Sequence, residues 1–407
     1  MHAGAPVTIL LASAWSMGGT VRTTLNLAGY LARRHEVRII SVIRTRDEPF
    51  FPFPEGVHVT ALDDWRPGAT PRALRPLRAA LTARSSVLVD RHDRLHADAS
   101  LWTDIALVRK LRRRTGVLIG TRPALNLLAA ELSPPGLVTI GQEHMHLGSH
   151  RAQMRRAFKR SYPRLDALVV LTEQDRRGYA ELLPDRPRVV RIPNTVRADC
   201  TGTAPLDGTT VLAAGRITPQ KGFDMLVDAF AQLPPAYADW RLRICGSGQW
   251  QADLERRIAE HRLDGAITLA GPAEPLADEM DRAALFVLSS RFEGFPLVLI
   301  EAMAKGLAVV AFDCPTGPGE IIDDHRNGIL VAPNDVEGLA NGMRELMDDP
   351  ALRRRLGSAA AATARDYTLD VVGPRWEALL DELARESRAS RSPRISAWTW
   401  RRRAPAA

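Results

Sequence analysis

The sequence predicts an α/β protein of two doubly wound units, each a parallel sheet covered by helices. Short apolar segments of strand length alternate with amphipathic segments of helix length, and such alternation is typical of parallel sheets. The alternation restarts after residues 193–207, where proline, glycine, threonine and aspartate indicate a linker. A chain of 407 residues is long enough to bury two cores.

Buried strands are predicted in both units, with helices between them. In the first unit they are Val7–Ala12, Val37–Val42, Val117–Gly120, Val138–Gln142 and Ala167–Leu171, and the helices include Thr20–Arg34 and Leu101–Arg114. In the second unit they are Val211–Ala214, Leu242–Cys245, Ile267–Ala270, Leu285–Leu288, Val309–Ala311 and Ile329–Val331. Ligands of such sheets bind beyond the carboxyl ends of the strands, so two facing units would form a cleft between them.

The most informative stretch of the chain is 289–306. It places two carboxylates, Glu293 and Glu301, eight positions apart around a Gly-Phe-Pro turn that opens an apolar helix. Such a turn exposes backbone N–H groups, and the acids nearby can accept hydrogen bonds from the hydroxyls of a polyol. The stretch is therefore predicted to bind a sugar or a ribose.

A second motif carries positive charge. Arg216 and Lys221 lie five positions apart in a glycine-bounded loop between a strand and the predicted helix Phe223–Leu233. Cations oppose the start of a helix unless an anion lies between them. Arginine offers phosphate oxygens a planar fork and lysine a mobile point charge, so the pair is predicted to bind a diphosphate.

Glu-Gly-Phe-Pro followed by Glu301 resembles the signature of the retaining, nucleotide-sugar-dependent glycosyltransferases of family 4. These enzymes have the GT-B fold, in which two Rossmann-like domains face each other across a cleft. Supporting matches run from Val7 to about Tyr367 and are dense from Val211 onward. The resemblance implies that Arg216 and Lys221 bind the donor diphosphate.

The resemblance also implies how the acids and the turn are used. Glu301 is assigned to the ribose hydroxyls and Glu293 to the donor sugar. Further donor-binding positions are expected at Gly294, Phe295, Pro296 and Leu297 in the turn, at Gly246 in a turn beside the nucleotide, and at Gly18 and Gly19 after the first strand. The paired glycines let the backbone approach a ligand closely, although a merely tight turn explains them equally well.

A histidine is expected to complete the site. His144 follows the strand Val138–Gln142, and in family 4 a histidine at the corresponding strand end contacts the donor sugar near its 6-hydroxyl. His146 is the competing candidate. Thr172, after the strand Ala167–Leu171, is predicted to cap the next helix.

The implied domains are 1–195 for the acceptor and 208–367 for the nucleotide-sugar. We expect a helix at 368–386 that packs back on the first domain and a basic, disordered tail at 387–407. The region 63–100, rich in arginine, proline and alanine, is either an acceptor-binding insertion or a solvated helical excursion.

The implied activity is transfer of a hexose-type sugar from a nucleoside diphosphate donor to an acceptor hydroxyl, with retention of configuration. Uridine is favoured over guanosine on family frequency alone. No cofactor is expected, and no metal, because the second half contains no Asp-x-Asp at a strand end and no cluster of metal-binding spacing. The acceptor stays open among an envelope glycan, a lipid-linked sugar and a secondary metabolite.

Two alternatives to this activity stay open. Lysine and arginine number 55 against 47 acidic residues, a net charge of +8 that favours anionic partners in general. A basic module that binds nucleic acid or membrane is therefore one alternative, supported by the Trp/Arg tail but opposed, for nucleic acid, by the lack of a recognised motif. The other alternative is a sugar-nucleotide epimerase of the same fold.

The expected location follows from what the sequence lacks. The apolar run Val7–Ala12 is short and has no positive region before it, so a signal peptide is not predicted, and no stretch approaches the ~20 apolar residues that span a bilayer. The cysteines Cys200, Cys245 and Cys314 match no disulfide or zinc spacing, which favours a reducing compartment. We expect a cytoplasmic protein, or one peripheral at the inner face of the membrane.

Overall fold

The computed structural model describes residues 4–196, 202–273 and 275–389, with side chains as far as residue 387. The first domain has the strands β1 Val7–Leu11, β2 Val37–Arg44, β3 Val57–Asp64, β4 Val117–Gly120, β5 Val138–Gln142, β6 Ala167–Val170 and β7 Arg188–Arg191. Its helices are α1 Gly19–Leu31, α2 Arg75–Thr82, α3 Leu101–Leu111, α4 Pro123–Leu132, α5 Ala152–Ser161 and α6 Glu173–Leu182.

The second domain repeats this architecture. Its strands are β8 Thr210–Ala214, β9 Arg241–Cys245, β10 Ile267–Gly271, β11 Leu285–Leu288, β12 Ala308–Phe312 and β13 Ile329–Val331. Its helices are α7 Phe223–Ala231, α8 Gln251–Glu260, α9 Ala277–Asp281, α10 Leu297–Ala304, α11 Pro318–Ile321, α12 Val336–Asp348 and α13 Pro350–Ala364. The long helix α14 Leu369–Ala389 follows.

Both sheets are parallel throughout. The first has the order β3-β2-β1-β4-β5-β6-β7, and the second has the order β10-β9-β8-β11-β12-β13. In register, Val7 of β1 lies between Val37 of β2 and Val117 of β4. The predicted fold class, two doubly wound units with parallel sheets, is confirmed. The strand order reverses beside β1 and beside β8, and ligands of open α/β sheets bind at such switch points.

The sequence-based list of strands was incomplete at one sheet. β3 and β7 were not predicted, and both are outer strands of the first sheet. Strands covered on both faces read as continuous apolar runs, whereas β3 alternates between exposed and partly buried residues in its first half and β7 is Arg-Val-Val-Arg. Within 63–100, α2 contains no buried residue.

Helix α14 returns to the first domain. Its buried apolar residues belong to the same core cluster as β1 and α1; they are Val372, Trp376, Leu379, Leu380 and Leu383. His35 of the first domain bonds Glu377 of this helix at 3.0 Å. The end of the chain after residue 389, with most of the predicted tail, lies outside the described residues. No helix within the described ranges is long and apolar enough to cross a bilayer.

Candidate active site

Two loops at the carboxyl ends of β8 and β11 are joined by hydrogen bonds. The Gln220 side chain donates to the carbonyl oxygen of Phe292 at 3.0 Å, and the backbone N–H of Arg291 donates to the carbonyl oxygen of Gln220 at 2.8 Å. Arg291 also forms a bidentate ion pair with Asp224 at the start of α7, at 2.9 and 2.6 Å. These contacts hold the loop with Arg216 and Lys221 against the loop with Glu293.

Lys221 and Glu293 form the central ion pair. Lys221 Nζ donates to Glu293 Oε1 at 2.6 Å, and Ser290 Oγ donates to the same oxygen at 2.6 Å. The lysine side chain is 16% exposed and the glutamate side chain 7%. A charge removed from water needs a partner, so each side chain fixes the other where the two loops meet.

Arg216 differs from Lys221 in its surroundings. Its side chain is exposed, and it makes no hydrogen bond or ion pair with any residue in the described part of the chain. The loop at the carboxyl end of β8 therefore carries two cations: Lys221, which is paired with Glu293, and Arg216, whose side chain has no partner among the described residues. Arginine stays protonated at all relevant pH values, so it can bind an anionic ligand.

Gly246 brings a third loop into contact with the first. A Cβ at this position would lie 1.8 Å from the carbonyl oxygen of Gly215. Its backbone N–H donates to the carbonyl oxygen of Gly271, after β10, at 2.8 Å. Only glycine allows this approach, and the loop that follows β9 therefore sits directly beside the loop of Arg216.

The two domains meet at Gly294 and at Gly19. A Cβ on Gly294 would lie 2.0 Å from the carbonyl oxygen of His144, so the Glu-Gly-Phe-Pro turn touches the end of β5 across the cleft. A Cβ on Gly19 would lie 3.2 Å from Leu297 Cδ1. The structure thus brings Gly19 and the backbone of His144 to the turn of the second domain, whereas a Cβ on Gly18 would have no atom within 4 Å.

His144 is held as a neutral ring. Burial lowers its pKa to about 4, because desolvation disfavours the imidazolium. Its Nε2 atom has no hydrogen-bond partner among the described residues. His146, the competing candidate, has a pKa lowered by burial and partly restored by the charge of Asp175, and its ring lies 5.8 Å from that of Phe292. Neither ring makes a hydrogen bond to a described residue, and His144 Nε2 is the ring nitrogen of the two residues that is buried without a partner.

Glu301 is paired across the cleft, which the sequence did not indicate. Arg22 of α1 forms an ion pair with Glu301, and the side chains are 19% and 3% exposed. The Arg22 guanidinium lies 5.0 Å from the ring centre of Phe51, a cation–π contact that orients it. Arg22 lies three positions after Gly19, and its spacing alone gave no sign of a partner 279 residues later.

Glu320 makes a second contact between the two domains. Its carboxylate accepts hydrogen bonds from the backbone N–H groups of Glu173 and Gln174, at 2.7 and 2.8 Å. These N–H groups belong to the first turn of α6, which attracts negative charge. Thr172 caps the same helix, as predicted: its hydroxyl oxygen accepts a hydrogen bond from the backbone N–H of Asp175 at 3.1 Å. A carboxylate of the second domain thus completes the helix start of the first.

The remaining turn residues act through the backbone or through packing. Phe295 is 7% exposed and its ring packs 5.7 Å from Tyr367, so its side chain belongs to the core. Pro296 precedes the first turn of α10, and the backbone N–H of Leu297 donates to the carbonyl oxygen of Phe295 at 2.9 Å. At these positions the side chains shape the turn that carries Glu293 and Gly294.

A buried acid lies beneath the cleft beside His144. Glu143 is 2% exposed, and desolvation raises its pKa to about 8. It accepts hydrogen bonds from Tyr162 and, at 2.8 Å, from Asn126. At neutral pH the group is therefore protonated, and it holds the end of β5 without adding charge to the cleft.

Two family models together match most of the chain. The model of Glycosyltransferase Family 4 matches residues 17–199, and the model of Glycosyl transferases group 1 matches residues 202–363. The chain belongs to the family 4 glycosyltransferases. The first match begins just before the Gly18–Gly19 loop, and the second includes Arg216, Lys221, Glu293 and Glu301.

Curated relatives of this family 4 chain include proteins of different length. The chain is 38% identical over 392 residues to an exopolysaccharide phosphotransferase of Streptomyces coelicolor. This alignment covers 93% of this chain and 41% of that protein. It is 26% identical to an uncharacterized glycosyltransferase of Haemophilus influenzae, over 90% of this chain and 97% of the relative. The chain therefore spans less than half of the first relative and nearly all of the second.

Solved structures with the same fold share little sequence. HepE of Anabaena, in complex with UDP and glucose, aligns with a TM-score of 0.72 at 17% identity, over 93% of this chain and 99% of that one. Sucrose-phosphate synthase from Thermosynechococcus elongatus aligns with a TM-score of 0.72 at 19% identity, over 94% and 100%. The family 4 chain thus has the predicted GT-B fold.

The described residues offer no ready site for a metal ion. Residues 4–196, 202–273 and 275–389 contain no cluster of three or more histidine, cysteine, aspartate or glutamate side chains that could hold a metal ion. The acids of the candidate site have other partners: Glu293 bonds Lys221, and Glu301 bonds Arg22. The cations paired with these acids are Lys221 and Arg22, and Arg216 lies in the loop of Lys221.

Proposed function

We propose that this protein transfers a hexose-type sugar from a UDP-sugar to an acceptor hydroxyl, with retention of configuration and without a metal ion. The observation that carries the proposal is the pairing of Lys221 with Glu293 beside the available guanidinium of Arg216. The loops of these residues lie at the switch point of the second sheet, where α/β proteins bind their ligands. The UDP complexes of HepE support the choice of donor.

In this proposal the donor lies along the loops of the second domain. Arg216 and Lys221 bind the diphosphate, Glu301 binds the ribose hydroxyls, and Glu293 and His144 bind the sugar. Gly18, Gly19, Gly246 and the backbone of 294–297 line the site. Because His144 is neutral, it can donate or accept a hydrogen bond with a sugar hydroxyl without repelling the cationic loop.

Catalysis is proposed to rest on stabilisation of the leaving group. Negative charge grows on the diphosphate as the glycosidic bond breaks, and Arg216 and Lys221 neutralise it. The leaving phosphate oxygen accepts the proton of the acceptor hydroxyl, which attacks from the same face, so configuration is retained without a separate base. The two cations supply the charge that a divalent ion would otherwise supply.

We do not extend the phosphotransferase activity in the name of the Streptomyces relative to this protein, because this chain spans only 41% of that relative. A sugar-nucleotide epimerase would consume the donor without an acceptor and without releasing free nucleoside diphosphate. A basic binding module would bind polyanions without turning over any donor. Both alternatives are outcomes of the experiment that follows.

The test combines UDP release with the identity of the first sugar anomer. Purified protein is incubated with UDP- and GDP-sugars in EDTA, and ¹H NMR follows the anomer that donor hydrolysis releases first. We expect UDP release with initial retention, loss of at least 100-fold in Arg216→Ala, and no loss in Arg241→Ala, whose exposed arginine bonds a backbone carbonyl outside the cleft. Inverted product, dependence on added metal, or an epimerised donor would contradict the proposal.

A further inference from the structure

A cavity at the far edge of the first sheet is not used by the proposed donor site. It has a volume of about 320 Å³ and is lined by Asp63, Trp65, Arg78, Thr82 and residues 97–100. It lies where β3 ends, at the carboxyl edge of the sheet and therefore on the same edge as the Gly18–Gly19 loop. Small-molecule sites have volumes of about 300–1,000 Å³, so the cavity is of ligand size.

An exposed tryptophan forms one wall of this cavity. Trp65 is 45% exposed, although one hydrogen bond holds its indole and another holds its backbone. Its Nε1 donates to Asp63 Oδ2 at 2.8 Å, and its backbone N–H donates to the carbonyl oxygen of Arg44 at 2.9 Å. An aromatic ring held in this way loses no conformational freedom when a ligand stacks on it, which favours binding.

The segment around Trp65 is held by ion pairs. Arg66 binds Asp64 through two hydrogen bonds, at 2.9 and 2.7 Å, and donates a third at 2.7 Å to Asp47. Asp63, which is 3% exposed, accepts from Arg78 Nε at 2.7 Å as well as from Trp65. The tryptophan therefore stands on a rigid strand end.

The polar groups of the cavity favour a neutral, hydroxylated ligand. Arg78 is balanced by Asp63, while Asp98 is exposed and makes no side-chain hydrogen bond or ion pair with the residues described. The cavity thus carries a net negative charge, which opposes phosphates and nucleic acid. A carboxylate can accept hydrogen bonds from sugar hydroxyls, while an aromatic ring packs on the C–H face of a pyranose.

We propose that this cavity, the Trp65 subsite, binds a pyranose unit of the acceptor glycan at a distance from the sugar that receives the transfer. The proposal rests on the proposed function. β3 lies two places from β1 in the sheet, and strands are about 4.8 Å apart, so the subsite lies roughly 10 Å from the strand that leads to Gly18. An acceptor that reaches both places contains more than one sugar ring.

Two variants test the Trp65 subsite without touching the donor site. Trp65→Ala removes the ring, and Ala97→Trp fills the cavity from an exposed lining position while every native contact of Trp65 stays. Leu77→Ala is the matched control, because Leu77 is a 53% exposed residue of the neighbouring helix α2 and does not line the cavity. Each protein is applied to an array of neutral and anionic bacterial oligosaccharides, and its affinity for UDP and GDP is measured by calorimetry.

We expect wild type and Leu77→Ala to bind neutral hexose-containing oligosaccharides alike. Trp65→Ala and Ala97→Trp should bind them at least tenfold more weakly and keep nucleotide affinity within twofold. Absence of binding by wild type, binding restricted to anionic glycans, or binding by Trp65→Ala and Ala97→Trp as strong as that of wild type would each overturn the subsite. Failure of wild type to bind UDP or GDP would instead contradict the proposed function, so the two failures are distinguishable.

Discussion

Replacement of Lys221 by methionine separates the two roles of this residue. In the structure its ammonium group donates to Glu293 at 2.6 Å, and in the proposed function it also binds the donor diphosphate. Methionine keeps an unbranched stem and removes the charge. A hydrogen bond from a charged donor contributes about 1.5–3 kcal/mol, so UDP should bind about 10- to 100-fold more weakly.

Calorimetry with UDP and UMP locates this effect on the ligand. UMP lacks the second phosphate, so Lys221→Met should weaken UDP binding more than UMP binding and reduce the preference for the diphosphate. Lys305→Met is the matched control, because Lys305 is a buried lysine that likewise has an acidic partner, Asp281, at 2.9 Å. It should leave both affinities unchanged.

Stability distinguishes the phosphate role from the pairing role. Removing one partner of a buried ion pair costs about 3–5 kcal/mol, and less here because Lys221 is 16% exposed. Lys221→Met should therefore lower Tm, and adding Glu293→Gln should restore Tm while UDP affinity stays low. Recovery of UDP affinity together with Tm would refute the reasoning, because Lys221 would then act only as the partner of Glu293.

Three further changes test the cleft. Gly294→Ala places a Cβ 2.0 Å from the carbonyl oxygen of His144, so the two domains cannot approach each other as they do here. UDP release should therefore fall at least tenfold, and normal turnover would contradict this expectation. Arg22→Met removes one charged partner of Glu301, so the free energy of unfolding in urea should fall by about 1–3 kcal/mol, and an unchanged value would contradict a stabilising contact. Because the pKa of Glu143 is raised from 4.5 to about 8, the folded protein keeps a proton that the unfolded chain releases, and stability declines as pH rises across that window. Glu143→Gln should flatten the decline in urea unfolding, and an unchanged slope would contradict it.

The fold could be predicted where strands are buried on both faces. The segments of β1, β4, β5 and β11 are buried along their whole length, and each was predicted to within a residue. β3 and β7 lie at the edges of their sheet, where one side has no neighbouring strand and the side chains are partly exposed. Their sequences lack the apolar run that identifies a buried strand, so periodicity could not separate them from loops.

The candidate site could be predicted where its residues lie close together in the chain. The loop of Arg216 and Lys221 and the turn after Glu293 are local motifs with a characteristic spacing. The Lys221–Glu293 pair joins the two motifs, and its geometry depends on the packing of β8 beside β11. Arg22 and Glu320 were missed as functional residues, because a single charge on a helix looks the same whether it faces solvent or another domain.

The cross-cleft contacts differ in whether a bound donor would preserve them. Arg22 forms an ion pair with Glu301, the proposed ligand of the ribose, so a bound ribose would have to share this carboxylate with Arg22 or replace it. Glu320 instead bonds the backbone of α6 and has no proposed donor contact, so its bonds can persist in both states. A ligand can shift an equilibrium only by its differential affinity for two arrangements. In the proposed function, any change that the donor makes in the Arg22–Glu301 pair would therefore contribute to its affinity, whereas the bonds of Glu320 would contribute nothing.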